Sequence, residues 1–274
     1  MERKPALVVT LPPMHALGDV YKAGRERITE LVAVAPLDEV RRTVPACPDW
    51  TVHDTVAHLS GVCADIVAGN IEGVASDPWT AAQVDRRRSW SLEQVLGEWT
   101  ELGPQVEAIA EFFPGRTGSQ LVLDLTTHEH DVRQALGRPG ARDAAGVQIG
   151  SRFVAEVGLC TSVAVRGLPP LEVISGDNRW VVGTGQPAAG GDEQALAAAA
   201  MELAGQVMQG GEPITADVEP VGSLKIEPFE LMRALTGRRS AAQIRAYDWS
   251  VDPEPYVPAF QFGPFTTPAD DLPE

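Results

Sequence analysis

Apolar residues recur at every third or fourth position through the first 170 residues, which is the spacing of helices that bury one face. The pattern predicts four long amphipathic helices, at residues 17–35, 51–71, 91–113 and 119–136, and a further helix at 147–166. Four such helices joined by short or medium loops form a bundle, and metal sites in bundles are built from inward-facing side chains. The N-terminal region is therefore predicted to be an all-α four-helix bundle.

Two of the helix starts carry capping boxes, Thr51 with Asp54 and Ser91 with Gln94. Between these helices, residues 72–89 show no clear period and are predicted to form a loop. The loop ends in three consecutive arginines, residues 86–88. We expect this run to be a solvated face, with a role in holding an anionic ligand as the alternative.

The period changes after residues 168–170, Leu-Pro-Pro. Strand-like segments then alternate with short helices, which indicates a smaller α+β domain. Its predicted elements are a hairpin over 171–184, a helix at 192–209, strands at 214–219 and 223–226, and helices that begin at Pro228 and Ser240.

These patterns divide the chain into four parts. They are an N-terminal arm (1–14), the helical bundle with its candidate site (15–168), the α+β domain (169–250) and a proline-rich tail (251–274). The arm has no usable period and is expected to pack on the surface or to be disordered. The tail holds six prolines, so we expect an extended segment on the surface.

Charge and cysteine usage narrow the function classes. The chain has 22 basic and 38 acidic residues, a net charge of −16, which argues against nucleic acid and anionic membranes as partners. No apolar run approaches the ~20 residues of a membrane span, so a cytoplasmic protein is expected. The cysteines, Cys47, Cys63 and Cys160, are widely spaced and expected to be free. Cys63 and Cys160 lie on apolar helical faces and are predicted core residues.

A polar run, residues 124–131, interrupts the apolar face of the helix at 119–136. On a helical wheel His128 falls inside the apolar arc, with Asp124 beside it one turn earlier, so both should point inward. Burying a carboxylate and an imidazole is costly unless they are paired or bound to a cation. A buried Asp-His hydrogen bond and a metal site both satisfy this condition. His130 lies almost opposite and is expected to be packing or surface.

His58 lies at the edge of the buried face of the helix at 51–71. From there it could meet Asp124 and His128 on a facing helix; alternatively, it is a boundary histidine with one solvated side. Asp54, one turn before His58, could accept its second ring N–H and orient it.

Other chemical motifs have little support. Residues 183–188 match a bare dinucleotide-binding spacing, but Pro187 prevents the turn into a helix and no βαβ unit surrounds it. Phosphate loops, His-Glu-x-x-His and Gly-x-Ser-x-Gly are absent from the sequence.

Three segments, residues 44–59, 127–137 and 228–243, resemble signatures of the DinB-like bundle enzymes in their mycothiol-dependent maleylpyruvate isomerase branch. The resemblance implies a divalent metal, usually zinc, held by His58, Asp124 and His128, and a sterol-carrier-like C-terminal domain that closes over the site. Enzymes of that branch carry glutamate where this chain has Asp124. In the third segment Arg238, followed by Arg239, is the best candidate for a cationic group at the site, with catalytic and cofactor-binding roles.

The leading hypothesis is a metal-dependent thiol transferase or isomerase. Three protein ligands leave one position of a tetrahedral zinc ion open, where the thiol of mycothiol would be activated to attack an electrophilic small molecule. S-transfer needs less of the pocket than isomerisation does. The alternatives are a metal-dependent hydrolase that activates water, and a non-catalytic protein whose α+β domain holds an apolar ligand.

Overall fold

The computed structural model describes residues 16–186 and 192–272. The predicted N-terminal arm and Pro187 of the dinucleotide-like motif lie outside the described residues. Residues 16–136 are largely helical, as the apolar period predicts. The helices are α1 (Leu17–Ala33), α2 (Leu37–Val40), α3 (Val52–Ala68), α4 (Asp77–Arg87), α5 (Leu92–Ile109) and α6 (Thr117–Leu136).

Local signals in the sequence position the two helices that carry the candidate site. Thr51 accepts from the Asp54 backbone N–H and Asp54 accepts from Thr51, so the predicted capping box that begins α3 is confirmed. Helix α6 ends at Gly137, which adopts φ 63°, a conformation that glycine takes without steric cost. Local sequence signals therefore fix where α3 begins and where α6 ends.

The N-terminal helices share one apolar core. Side chains from α1, α3, α5 and α6 meet there, and the fully buried members include Ile28, Val56, Trp99 and Leu125. This shared core fixes α3 against α6 and so sets the distance between the residues that they carry.

The segment predicted as a loop at residues 72–89 contains an ordered helix. Residues 77–87 form α4, because Trp79 and Arg87 are buried by contacts with distant parts of the chain. Arg87 donates to Glu98 at 2.5 and 2.9 Å, so a solvated face is wrong for this arginine. Residues 43–51 form an antiparallel hairpin of β1 (Thr43–Val44) and β2 (Cys47–Thr51).

The predicted helix at 147–166 is continuous but irregular. It consists of α7 (Ala145–Phe153), a π-helical turn (Val154–Leu159) and α8 (Cys160–Val165). The later helices are α9 (Glu193–Met208), α10 (Pro228–Leu235) and α11 (Ala241–Arg245).

The C-terminal region contains a four-stranded sheet in the order β4-β3-β5-β6. The predicted hairpin is confirmed: β3 (Leu171–Ser175) pairs antiparallel with β4 (Asn178–Val182). Strand β3 also pairs parallel with β5 (Gly222–Lys225), which pairs antiparallel with β6 (Asp248–Trp249). The strand predicted at 214–219 does not form, although the Ala216 N–H still donates to the Val181 carbonyl. A helical region followed by an α+β region is the architecture that the sequence predicts.

Part of the proline-rich tail is core rather than an extended surface segment. Residues Val257–Phe260 form a 3₁₀ turn, and Tyr256 and Phe260 are buried. The Tyr256 ring stacks on Trp249 with centroids 5.9 Å apart, and its hydroxyl donates to the Pro169 carbonyl at 2.9 Å. The prediction of an extended surface segment is wrong here, because the aromatic side chains of the tail have a large apolar area that is buried against the α+β region.

The C-terminal region also reaches the N-terminal helices. Helix α10 packs on α7, and Arg233 and Arg238, within and just after α10, bond to Asp131 of α6. Among the described residues, no helix has the length and apolar character needed to cross a membrane.

Candidate metal centre

The three residues predicted as metal ligands lie together between α3 and α6. His58 comes from α3, and Asp124 and His128 lie one turn apart on α6. His58 Nε2 is 3.4 Å from Asp124 Oδ2, and His128 Nε2 is 3.7 Å from Asp124 Oδ1. One potential ligand atom from each residue lies within 4.8 Å of the other two, which is close enough to bind one metal ion.

Gln83 of α4 fixes the His58 ring. Its amide nitrogen donates to Asp65 Oδ2 at 2.9 Å, so its oxygen is the atom 2.8 Å from His58 Nδ1 and must accept that N–H. A neutral His58 then has its lone pair on Nε2, the atom that faces Asp124. His58 is only 3% exposed, so the interpretation of a boundary histidine with a solvated side is wrong.

Asp131 holds the second ring in the same way. Its Oδ2 accepts from His128 Nδ1 at 3.1 Å, which again leaves Nε2 facing Asp124. Burial alone would raise the pKa of Asp131, but Arg238, Arg233 and His128 hold it well below its usual range. Asp131 is therefore a charged acceptor that orients His128.

The cluster opens to solvent at Asp124 and is walled by an aromatic ring. The Asp124 side chain is 35% exposed. Burial raises its pKa, but the interactions with His58, His128 and Arg238 outweigh that effect and leave the pKa below its ordinary value. The Trp50 ring lies 5.1 Å from the His58 ring and 5.7 Å from the His128 ring, centroid to centroid. Asp124 is thus the member of the cluster that solvent reaches most.

The proposed orienting role of Asp54 is wrong. Its carboxylate accepts from the Thr51 N–H at 2.9 Å and from the Thr51 hydroxyl at 2.7 Å, so it caps α3 instead. Gln83 takes the orienting position, and the prediction missed it because residues 72–89 lack a long apolar period. The available signal was the i, i+4 repeat Trp79, Gln83 and Arg87, all buried on one face of α4.

Cys47, which sequence patterns did not place, lies beside the cluster. Arg238 Nη2 donates to its Sγ at 3.4 Å, and the thiol is 3.9 Å from Asp131 Oδ2. Cys47, His128 and Asp131 form a second group whose potential ligand atoms lie within 4.8 Å of one another. Burial and Asp131 raise the pKa of Cys47 to about 11, so the thiol is protonated at neutral pH. Cys63 and Cys160 are buried and free, as predicted.

The two predicted arginines have different surroundings. Arg238 donates to Asp131 Oδ2 at 2.7 Å; burial lowers its pKa, but Asp131 outweighs this and raises it. Arg239 instead donates to Glu230 at 2.7 and 2.9 Å. Arg233, which the sequence prediction missed, is fully buried and donates to Asp131 Oδ1 at 2.7 Å. Its position on an otherwise apolar face of α10 was the available signal.

His130 is a packing residue, one of the two roles predicted for it. Its ring lies edge-on to Phe229, with centroids 4.7 Å apart. Burial, together with Arg233 and Arg133, lowers the pKa of His130 to about 3, so this ring is neutral. The two histidines of the polar run therefore face different surroundings.

Residues 21–148 match the family model described as the mycothiol maleylpyruvate isomerase N-terminal domain. The similarity to this family lies in the N-terminal, helical part of the chain. The match includes the candidate ligands His58, Asp124 and His128 and the orienting residues Gln83 and Asp131. Comparisons with curated proteins and with solved structures found no match. The polar cluster between α3 and α6 therefore lies within the segment that is similar to this domain.

Proposed function

We propose that His58, Asp124 and His128 hold a divalent metal ion, with zinc as the expected ion, and that the protein uses mycothiol as a thiol cosubstrate on an electrophilic small molecule. The name of the matching family supports the thiol, and the donor set supports the metal. Two imidazole nitrogens and a carboxylate oxygen are ligands that zinc accepts.

The observation that carries this proposal is the direction of the lone pairs. Gln83 and Asp131 accept from Nδ1 of His58 and His128, so both Nε2 atoms face the Asp124 carboxylate. Electron-rich atoms so arranged repel one another unless a cation or a proton lies among them. Hydrogen-bonded Nδ1 atoms are also the usual support of metal-binding histidines.

The surrounding residues have distinct roles in the proposed reaction. A bound zinc ion lowers the pKa of a thiol at its open position. Trp50 lies beside both histidine rings, and the exposed part of Asp124 is where the cluster meets solvent. Arg238 is proposed to stabilise negative charge on the electrophile; its bond to Asp131 also keeps His128 oriented. Arg239 is proposed as a second cationic group for the cosubstrate.

The proposed architecture behind the site is a DinB-like four-helix bundle over residues 15–168 and an α+β domain of sterol-carrier-like shape over 169–250, followed by the 251–274 segment. The common core of α1, α3, α5 and α6 supports the bundle. The bonds from Arg233 and Arg238 to α6 support a C-terminal domain that closes over the site.

Product analysis tests the reaction. Zinc-loaded protein would be incubated with mycothiol and either maleylpyruvate or 1-chloro-2,4-dinitrobenzene, and products identified by mass spectrometry. With the aryl chloride we expect an enzyme-dependent thioether, formed as the carbon–chlorine bond breaks and chloride leaves, because S-transfer demands less of the pocket. Recovery of the thiol together with an isomerised acid would select isomerisation. Turnover that needs water but no thiol would support a hydrolase, and no turnover in any arm would contradict the enzymatic proposal. His58→Ala protein is the control.

A second test targets the orienting residue that sequence patterns missed. Gln83→Ala should weaken zinc binding by roughly 10–100-fold, the usual effect of losing a partner of a ligating histidine. Competition with a chromophoric chelator measures this change. Gln94→Ala, which alters only the cap of α5, is the matched control and should leave the affinity unchanged. Equal affinities for the two variants would contradict the role given to Gln83.

A further inference from the structure

A cavity lies on a different side of α6 from the candidate metal centre. Its volume is about 220 Å³, and its wall includes His130 and Arg133 of α6, Arg142 of the following segment and Phe229 of α10. His58, Asp124 and His128 do not line it. Because His130 and His128 are two residues apart, their side chains leave α6 in nearly opposite directions. The cavity is thus separate from the candidate metal centre.

The described residues that line this cavity include two arginines, Arg133 and Arg142, and no acidic residue. Arg133 and Arg27 share a single carboxylate, Glu129, with nitrogen–oxygen distances of 2.9 and 2.6 Å. Because the two guanidinium groups of Arg27 and Arg133 share one carboxylate, this group of three side chains has a net charge of +1, although the whole chain has a net charge of −16. A positive, partly enclosed wall in an acidic protein attracts an anion selectively.

One buried polar atom in the wall lacks a partner. His130 is 3% exposed, and its Nε2 has no hydrogen-bond partner among residues 16–186 and 192–272. Buried side-chain polar atoms are bonded in the large majority of cases, so an atom left over beside a cavity points to a ligand atom. In the tautomer that carries its proton on Nε2, the ring would donate to a carboxylate oxygen of a bound ligand.

The remaining walls fit the apolar part of a small molecule. Phe229 lines the cavity, and the Arg142 guanidinium lies 4.8 Å from the centroid of its ring. Gly140 lets the loop approach Arg133, since a Cβ there would lie 3.2 Å from Arg133 Nη1. An aromatic surface beside guanidinium groups suits a ligand that combines an acid with an apolar body.

We propose that this cavity binds a small organic acid, with its carboxylate toward Arg133 and Arg142 and its apolar body against Phe229. The volume is below that of cavities for drug-sized ligands, so the acid is about the size of benzoate. This site is independent of the proposed thiol chemistry.

Isothermal titration calorimetry with benzoate tests the proposal. Wild-type protein should bind benzoate at least about tenfold more tightly than benzamide, because only benzoate offers charge-assisted hydrogen bonds. Arg142→Gln and Arg133→Gln should each weaken benzoate binding by about tenfold or more. Arg152→Gln, which alters an exposed arginine of α7 paired with Glu156, should bind like wild type.

Two further measurements distinguish binding in this cavity from binding of benzoate at the metal centre and from nonspecific binding of anions. His58→Ala protein should keep its benzoate affinity, whereas binding at the metal centre would be lost with it. Inorganic phosphate should compete only weakly, because it lacks the apolar body. Equal binding of benzoate and benzamide, wild-type affinity in both arginine variants, loss of binding in His58→Ala, or phosphate binding as tight as benzoate would each overturn the proposal.

Discussion

Protein carrying His128→Ala should purify with only a small fraction of the divalent metal found in wild type, which should approach one equivalent per chain. The substitution removes one of three proposed ligands. Loss of a supporting partner alone weakens metal binding by roughly 10–100-fold, so loss of a ligand should exceed that range. His58→Ala should behave in the same way. Elemental analysis of protein purified without chelator measures the metal, and the thiol-transfer assay should show activity lost with it.

A histidine close to the site but outside it provides the control. His53 is on α3 with His58, yet its ring nitrogen Nε2 lies 3.0 Å from the Trp90 carbonyl, so His53→Ala should keep the metal. Asp124→Glu introduces the residue that the resembling enzymes carry and should also keep it. A full equivalent of metal in both His58→Ala and His128→Ala, or no metal in the wild-type protein, would contradict the proposed metal site.

Asp131→Ala should be among the most destabilising single substitutions in the chain. It removes the carboxylate that Arg233 and Arg238 both use in the interior, and loss of one partner of a buried ion pair costs about 3–5 kcal/mol. At roughly 2–4 °C per kcal/mol for a domain of this size, the Tm should fall by about 6–20 °C. Thermal unfolding of metal-free wild-type and variant protein measures this effect without a contribution from metal binding.

An exposed ion pair offers the matched comparison. Asp85 pairs with Arg88 on the surface, with both side chains about two-thirds exposed, so Asp85→Ala should change stability by less than about 1 kcal/mol. Asp131→Asn should fall between the two variants, because it keeps the shape and one acceptor. A change for Asp131→Ala as small as that for Asp85→Ala would contradict the view that this carboxylate stabilises the contact between α10 and α6.

Local patterns in the sequence were sufficient for much of the fold. The apolar period located α1, α3, α5 and α6, and the capping boxes located the starts of α3 and α5, because these signals act within a few residues. Elements without such signals were missed. Helix α4 has few apolar residues, and it is held by Trp79 and by the bonds that Gln83 and Arg87 make to α3 and α5.

The same division applies to the candidate site. The inward direction of Asp124 and His128 follows from their spacing on one helix, and the family signature adds His58. The sequence by itself thus determined the candidate ligands. Only the tertiary structure decided which residues support these ligands. Gln83, and not Asp54, orients His58. Arg233 and Arg238 bind Asp131, and Cys47 lies at the edge of the cluster. These contacts join residues that are 18 or more positions apart, so they depend on how the helices and the C-terminal region pack, which no local period encodes.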